Sequence, residues 1–211
     1  SAASDVYKRQ ITSTFTQGNL THVENPFSVA LEGDGFFQIR TESGELQYTR
    51  DGSFEISPVA NGNMLCTSDG NPVLDAYGNQ IILPSNRVAT DLVVNQDGTL
   101  AFPDGTGNPA VITDANGRPV KFGIYQFNNP AGLSKEGSNN YSVTVASGAA
   151  VAENGNAAVK QTKTHQYYTE ASNVDVANEM VNLIVAQRAY EMNSKAIQAS
   201  DEMMQQANAL R

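Results

Sequence analysis

The chain has 211 residues and a formal net charge of -9, and hydrophobic residues make up 40% of it. This hydrophobic content is sufficient for a folded core, whereas the acidic balance argues against nucleic acid and anionic membranes as partners, because both require basic patches. No run approaches the ~20 apolar residues of a membrane span, so we expect no direct membrane insertion.

Residues 1–14 follow no periodic pattern, and we predict an irregular segment there. From residue 15 to residue 145, short apolar runs alternate with Asp-Gly and Asn-Gly dipeptides, which tolerate the positive φ angles of tight hairpins. This spacing predicts a turn-rich antiparallel β domain over 15–145. The predicted strands are 27–31, 36–40, 46–49, 53–56, 63–67, 80–83, 91–95, 99–102 and 122–127.

Within this β domain no motif indicates a catalytic, metal or cofactor site, and we predict none. The single cysteine, Cys66, lies in an apolar run typical of a strand, which favours a buried structural role. Asp69-Gly70-Asn71 and residues 114–117 are typical of turns, because they lack the ligand pattern and the distal glutamate of a calcium loop.

Residues 146–158 are small and polar, which is typical of a flexible connection. Residues 159–169 combine polar, β-branched and aromatic side chains, and we expect them to run extended along the β domain. We therefore predict a linker and extended segment over 146–171.

The remaining segment, 172–211, is predicted to be one long helix. All seventeen glycines and all eight prolines precede residue 156. Ser172 with Asp175 three residues later is typical of a capping box. A helix continuing to about residue 209 is roughly 54 Å long at 1.5 Å per residue.

This helix carries two apolar seams at heptad spacing, which is typical of a helix packed among several neighbours in a coiled-coil arrangement. The first seam consists of Met180, Leu183, Gln187, Tyr190, Ser194, Ile197, Asp201 and Met204, and the second of Val185, Ala189, Met192, Ala196, Ala199, Met203 and Leu210. We predict an assembly interface formed by Met180, Leu183, Gln187, Arg188, Ala189, Tyr190, Glu191, Met192, Ala196, Ile197, Met203 and Met204. Within it, Gln187, Arg188 and Glu191 are expected to set the register through polar contacts.

The alternative is a helix folded back on its own β domain. A domain of about 130 residues has a radius of gyration on the order of 14 Å. Because the helix is much longer than that, it would overhang the domain and leave much of its apolar surface in water. We therefore favour assembly with other copies.

Several motifs resemble the flagellar basal-body rod and hook family of bacteria. At the front these are Thr16-Gln17-Gly18-Asn19-Leu20, Gly33-Asp34-Gly35-Phe36-Phe37 and Tyr48-Thr49-Arg50-Asp51-Gly52-Ser53-Phe54. The tail resembles that family most specifically, through Ser172-Asn173-Val174-Asp175-Val176, Ala186-Gln187-Arg188-Ala189-Tyr190-Glu191 and Asn193-Ser194-Lys195. Within the family, the chain is most similar to the distal rod type.

The resemblance implies a structural subunit that self-assembles into a helical tube and transmits torque for motility. It implies terminal helices packed inside the tube, β domains outside, and partners that are copies of the chain, other rod and hook proteins, flagellar ring proteins and the export apparatus. It also implies export to the basal body by the type III apparatus without a cleaved signal peptide, and no such signal opens the chain.

Family members begin with a helix of their own, and several tens of residues then lead to the Gln-Gly-Asn-Leu segment. Only fourteen residues precede Phe15, so we expect that N-terminal helix region to be missing here. Two alternatives remain open: a proximal rod or hook subunit, and a secreted β-sandwich module that binds or hydrolyses glycans.

Overall fold

The computed structural model describes residues 15–104, 109–172 and 176–209. The irregular segment predicted for residues 1–14 and the Asp175 side of the predicted capping box lie outside these residues. The chain divides into two compact units, Ser1–Ser172 and Asn173–Arg211, and we call the first the β unit.

The described residues form short strands followed by one long helix, which confirms the predicted fold class. The strands are β1 Leu20–His22, β2 Val29–Glu32, β3 Phe36–Arg40, β4 Leu46–Thr49, β5 Glu55–Val59, β6 Gly62–Cys66, β7 Ile82–Pro84, β8 Val93–Val94, β9 Leu100–Pro103, β10 Pro109–Val111, β11 Ile124–Gln126, β12 Ser134–Gly137, β13 Asn140–Ser142, β14 Val151–Ala152, β15 Lys163–Gln166 and β16 Tyr168–Glu170, and the helix is α1 Val176–Ala209.

Every pairing between these strands is antiparallel. The largest sheet has six strands in the order β12-β13-β4-β3-β11-β14, and two three-stranded sheets have the orders β10-β9-β8 and β5-β6-β7. Two ribbons, β1–β16 and β15–β2, join the front of the unit to its last strands. The β unit is thus closed by strands that are far apart in sequence.

Two adjacent phenylalanines on β3 divide the core into two clusters. Because successive side chains of a strand point to opposite faces, Phe37 packs edge-on against Phe54 and Phe122, with ring centroids 4.9 and 5.2 Å away. Phe36 belongs to a second cluster, in which its ring lies 5.4 Å from that of Phe127. Both phenylalanines are fully buried.

Within the described β unit, five loops of the same construction reverse the chain, at 41–45, 67–71, 75–79, 95–99 and 114–118. In the last of these, the Gly117 N–H donates to the Asp114 carbonyl at 2.9 Å, and the Asp114 N–H donates to the Arg118 carbonyl at 2.8 Å. The Asp114 carboxylate accepts the Arg118 N–H at 2.9 Å, and Gly117 adopts a φ of 76°. Each loop has Thr, Asp or Asn first and Gly fourth, which is the pattern of a type I turn followed by a glycine bulge.

The structure differs from the flexible connection predicted over residues 146–158. Val151–Ala152 pairs with β11, and Ser147 and Glu153 are buried. The Glu153 carboxylate accepts hydrogen bonds from the Thr162 N–H at 2.7 Å and the Thr162 hydroxyl at 2.6 Å. Ser147 and Glu153 are therefore paired inside the unit instead of being solvated, which composition alone does not reveal.

Candidate assembly surface

Helix α1 runs without interruption from Val176 to Ala209, a span of 34 residues. At 1.5 Å per residue this is about 51 Å. The uninterrupted helix follows from the absence of glycine and proline after residue 155, since these two residues are the strongest helix breakers. The helix is thus a rigid element long enough to contact several neighbours.

The large apolar side chains of α1 whose exposure is described are all exposed. Nine of them retain between 51% and 78% of their accessible surface: Met180, Val181, Leu183, Ile184, Val185, Tyr190, Met192, Ile197 and Met203. So many exposed large apolar side chains on one helix are unusual for an isolated soluble unit and indicate an interaction site.

The two apolar seams lie on opposite sides of this helix. Leu183 and Met192 are nine residues apart, which corresponds to a rotation of about 180° at about 100° per residue. Tyr190 and Ile197 share the Leu183 side, and Ala196 shares the Met192 side. One flat partner therefore cannot cover both seams.

The structure places eleven of the twelve predicted interface residues on exposed positions of α1, including the polar Gln187, Arg188 and Glu191. The side chain of Met204 lies outside the described residues. The contact made by these residues with a partner stays a prediction.

Sequence reasoning missed a polar cluster of Arg50, Glu170 and Gln17, which we name the chain-end latch. This cluster links residues 17 and 50 to the last strand of the β unit. The Arg50 Nη2 lies 2.8 Å from the Glu170 Oε2, and both side chains are largely buried, at 14% and 12% exposure. Arg50 Nη1 also donates to the carbonyls of Gly33 and Gly35 at 2.8 Å each. A single guanidinium thus fastens the final strand to the β2–β3 loop.

The other carboxylate oxygen of Glu170 accepts hydrogen bonds from residues 17 and 18. Glu170 Oε1 accepts the Gly18 N–H at 2.8 Å and the Gln17 Nε2 at 3.0 Å. A Cβ on Gly18 would lie 1.9 Å from the Ala171 carbonyl oxygen, so only glycine allows this approach. Residues 17 and 18 therefore lie beside the last strand of the β unit.

The predicted turns have the expected structural roles. The Asp114 carboxylate accepts the backbone N–H of Asn116 and the side-chain Nε–H of Arg118, both at 2.8 Å.

Cys66 is buried, and burial raises the pKa of its thiol. Over residues 15–104, 109–172 and 176–209, no group of three His, Cys, Asp or Glu side chains is arranged to hold a metal ion.

Helix α1 is the only long helix in the part of the chain that the structure describes. Neither that helix nor any other described helix is sufficiently long and apolar to cross a membrane.

Two family models match the chain. Residues 165–210 match the C-terminal model of the flagellar basal body rod FlgEFG proteins. Residues 30–102 match the D1 domain model of the flagellar hook protein FlgE/F/G group. The first match includes β16 and α1, and the second includes the strands from β3 to β8.

Curated relatives extend this similarity over nearly the whole chain. The flagellar basal-body rod protein FlgG of Buchnera aphidicola subsp. Acyrthosiphon pisum is 37% identical over 202 residues, which covers 92% of this chain and 69% of the relative. The FlgG of Borreliella burgdorferi is 39% identical over 201 residues, covering 93% and 69%. The flagellar hook-basal body complex protein FlhP of Bacillus subtilis is 34% identical over 199 residues, covering 92% and 69%. The chain therefore belongs to the flagellar basal-body rod and hook protein family.

Proposed function

We propose that the chain is a non-catalytic structural subunit of the distal flagellar rod. In this function many copies assemble into a helical tube that transmits torque. The distal position is supported by the relatives named FlgG and by the motifs at both ends of the chain. The helical tube is supported by the two exposed apolar seams of α1.

The observation that carries this proposal is the amount of apolar surface on α1. Full burial of one such side chain contributes about 1.5–3 kcal/mol, so nine largely exposed ones offer on the order of 10 kcal/mol. Association costs about 4–15 kcal/mol in lost freedom. The apolar gain offsets that cost only when most of the nine side chains are covered. Because the seams lie on opposite sides, covering them requires more than one neighbouring helix.

The proposed location is the basal body, and the proposed partners are copies of the chain and other rod and hook proteins. Flagellar ring proteins and the type III export apparatus are further proposed partners, with export independent of a cleaved signal peptide. Gln187, Arg188 and Glu191 supply the polar contacts that fix the register between neighbouring helices.

The substitution Leu183→Asp tests this function. It places a charge near the start of the first seam, so we expect incorporation into basal bodies and motility to be lost. The β unit should keep its melting temperature, since Leu183 is exposed. Incorporation is measured by blotting purified basal bodies, and motility by swimming in soft agar.

Val88→Asp is the matched control, because it introduces the same charge at an exposed β-unit position, 63% accessible against 70% for Leu183. We expect normal incorporation for this variant. Normal motility of the Leu183→Asp strain would contradict the proposed assembly surface.

A proximal rod or hook subunit is the second candidate, because both matching family models are shared by hook and rod proteins. Immunogold labelling of purified hook-basal bodies separates the candidates. Label on the rod segment next to the hook supports the distal assignment, whereas label along the hook supports a hook subunit.

A further inference from the structure

The β unit carries an uncharged surface formed by two loops, residues 128–133 and residues 143–149, which we name the uncharged tip. Between Lys121 and Glu153, the only charged residues are Lys135 and Glu136. Both lie on β12, where Lys135 is opposite Tyr141 and the strand leads away from residue 143. The tip is therefore free of charge in a chain whose net charge is -9.

The uncharged tip exposes apolar side chains. Val145 has a relative accessibility of 103%, the highest of any large hydrophobic residue described, and Val143 is 42% exposed. Ala131, Ala146 and Ala149 are also exposed. The two loops thus present apolar side chains with no charged residue among them.

Hydrogen bonds hold the tip in one conformation. The Thr144 hydroxyl donates to the Gly132 carbonyl at 2.6 Å and accepts the backbone N–H groups of Ala146 at 3.1 Å and Ser147 at 3.2 Å. The fully buried Ser147 accepts the Thr144 N–H through its Oγ at 3.0 Å. The Asn129 Nδ2 donates to the Ala146 carbonyl at 3.0 Å.

The two loops of the tip are also in direct backbone contact. A Cβ on Gly132 would lie 2.6 Å from the Ala146 carbonyl carbon. Below them, Leu133 and Ala150 pack against the second core cluster of Phe36, Tyr48 and Phe127. Val145 is therefore presented on a preorganised support, and preorganisation lowers the entropic cost of binding.

From these features we infer that the uncharged tip is a contact between the β units of neighbouring copies of this chain. Two copies with a charge of -9 repel each other, and placing like charges opposite one another is costly. A surface without charge is where identical acidic subunits approach at the lowest cost, and the centres of protein interfaces are depleted in charged residues. This inference rests on the proposed polymer and adds to the helix a second contact in the outer layer.

The test introduces the photoreactive residue benzoylphenylalanine at position 145 of the chain, in the cells that produce it. A matched strain carries it at Val88, which is 63% exposed and lies outside the tip. After irradiation, basal bodies are purified, and adducts are identified by mass spectrometry. We expect adducts between two copies from position 145, and at least tenfold fewer from position 88.

Each outcome of this experiment is decisive. Adducts from position 145 to a different protein, or none although the chain is present in basal bodies, overturn the tip contact and leave the proposed function standing. Equal copy-to-copy adducts from both positions also overturn it. Absence of the chain from basal bodies overturns the proposed function, and the tip contact with it.

A second measurement uses Val145→Ser, with Val88→Ser as its control. Because Val145 is fully exposed, the β unit of the variant should melt at the wild-type temperature. We expect isolated basal bodies carrying Val145→Ser to release the chain about tenfold faster on heating, since an apolar side chain is lost from the contact. Release at the Val88→Ser rate would contradict the inference.

Discussion

The chain-end latch makes a quantitative prediction for the substitution Glu170→Ala. The carboxylate of Glu170 accepts hydrogen bonds from Arg50, Gln17 and the Gly18 backbone. Its removal leaves three groups without that acceptor and leaves the Arg50 charge largely buried. We therefore expect the β unit to lose stability and the pairing of β1 with β16 to weaken.

The magnitude follows from the geometry of the ion pair. Removing one partner of a buried pair costs about 3–5 kcal/mol. Arg50 keeps the carbonyls of Gly33 and Gly35 as acceptors, and the Glu170 side chain is 12% exposed. These two facts place the expected loss at the lower end, about 3 kcal/mol in the free energy of unfolding.

Urea unfolding followed by tyrosine fluorescence measures this loss, since the chain contains no tryptophan. Glu170→Gln keeps one carbonyl oxygen for the Gly18 N–H, so we expect an intermediate loss of about 1–2 kcal/mol. Glu136→Ala, at an exposed position of β12, should change stability by less than about 0.5 kcal/mol. A loss under about 1 kcal/mol for Glu170→Ala, with an unchanged urea dependence, would refute this reasoning.

Two other predictions concern glycine packing and a surface ion pair. Gly52→Ala should unfold the β unit or cost more than about 3 kcal/mol, because the new Cβ would lie 1.8 Å from the Val29 carbonyl oxygen. Gly44→Ala should cost only about 1 kcal/mol, because its surroundings are open and only its positive φ is strained; equal losses in thermal melts would contradict the steric argument. The hydrogen bond from His165 at 2.6 Å lowers the pKa of the Glu32 carboxyl. Its stabilising contribution is therefore present above the unfolded-state pKa and is lost as the pH falls through the folded-state value. In His165→Ala the pKa of Glu32 should rise, and an unchanged carboxyl titration by NMR would exclude the pairing in solution.

The front of the β unit was predictable because its signals are local. The predicted strands 36–40 and 46–49 coincide with β3 and β4. Between them, residues 41–45 form a glycine-containing loop whose hydrogen bonds close within five residues. Where alternation and turn chemistry lie in one short stretch, the sequence determines the local structure without help from distant residues.

The extended course of residues 159–169 was predicted, but the partners of β15 and β16 were not, because these strands pair with distant residues. His165 pairs with Ala30, and Tyr168 pairs with His22. Neither β15 nor β16 has an apolar face of its own that indicates its position. The chain-end latch was missed for the same reason, since Arg50 and Glu170 are 120 positions apart.

The helix illustrates a different limit of sequence reasoning. Its existence and its two seams follow from residue periodicity, and the exposed Leu183 and Met192 lie on opposite sides of it. The partner proposed for each seam is a different matter, because the periodicity predicts a contact surface without identifying the molecule that would cover it.

The side-by-side arrangement of Gly18 and Ala171 brings the first and last described residues of the β unit close to one point. A domain whose ends lie together can be lengthened, shortened or replaced without moving the segments that flank it. Added residues at a surface loop such as 41–45, where Gly44 has open space around it, would leave both ends in place. The β unit can thus vary in size while residues 18 and 171 keep their spacing.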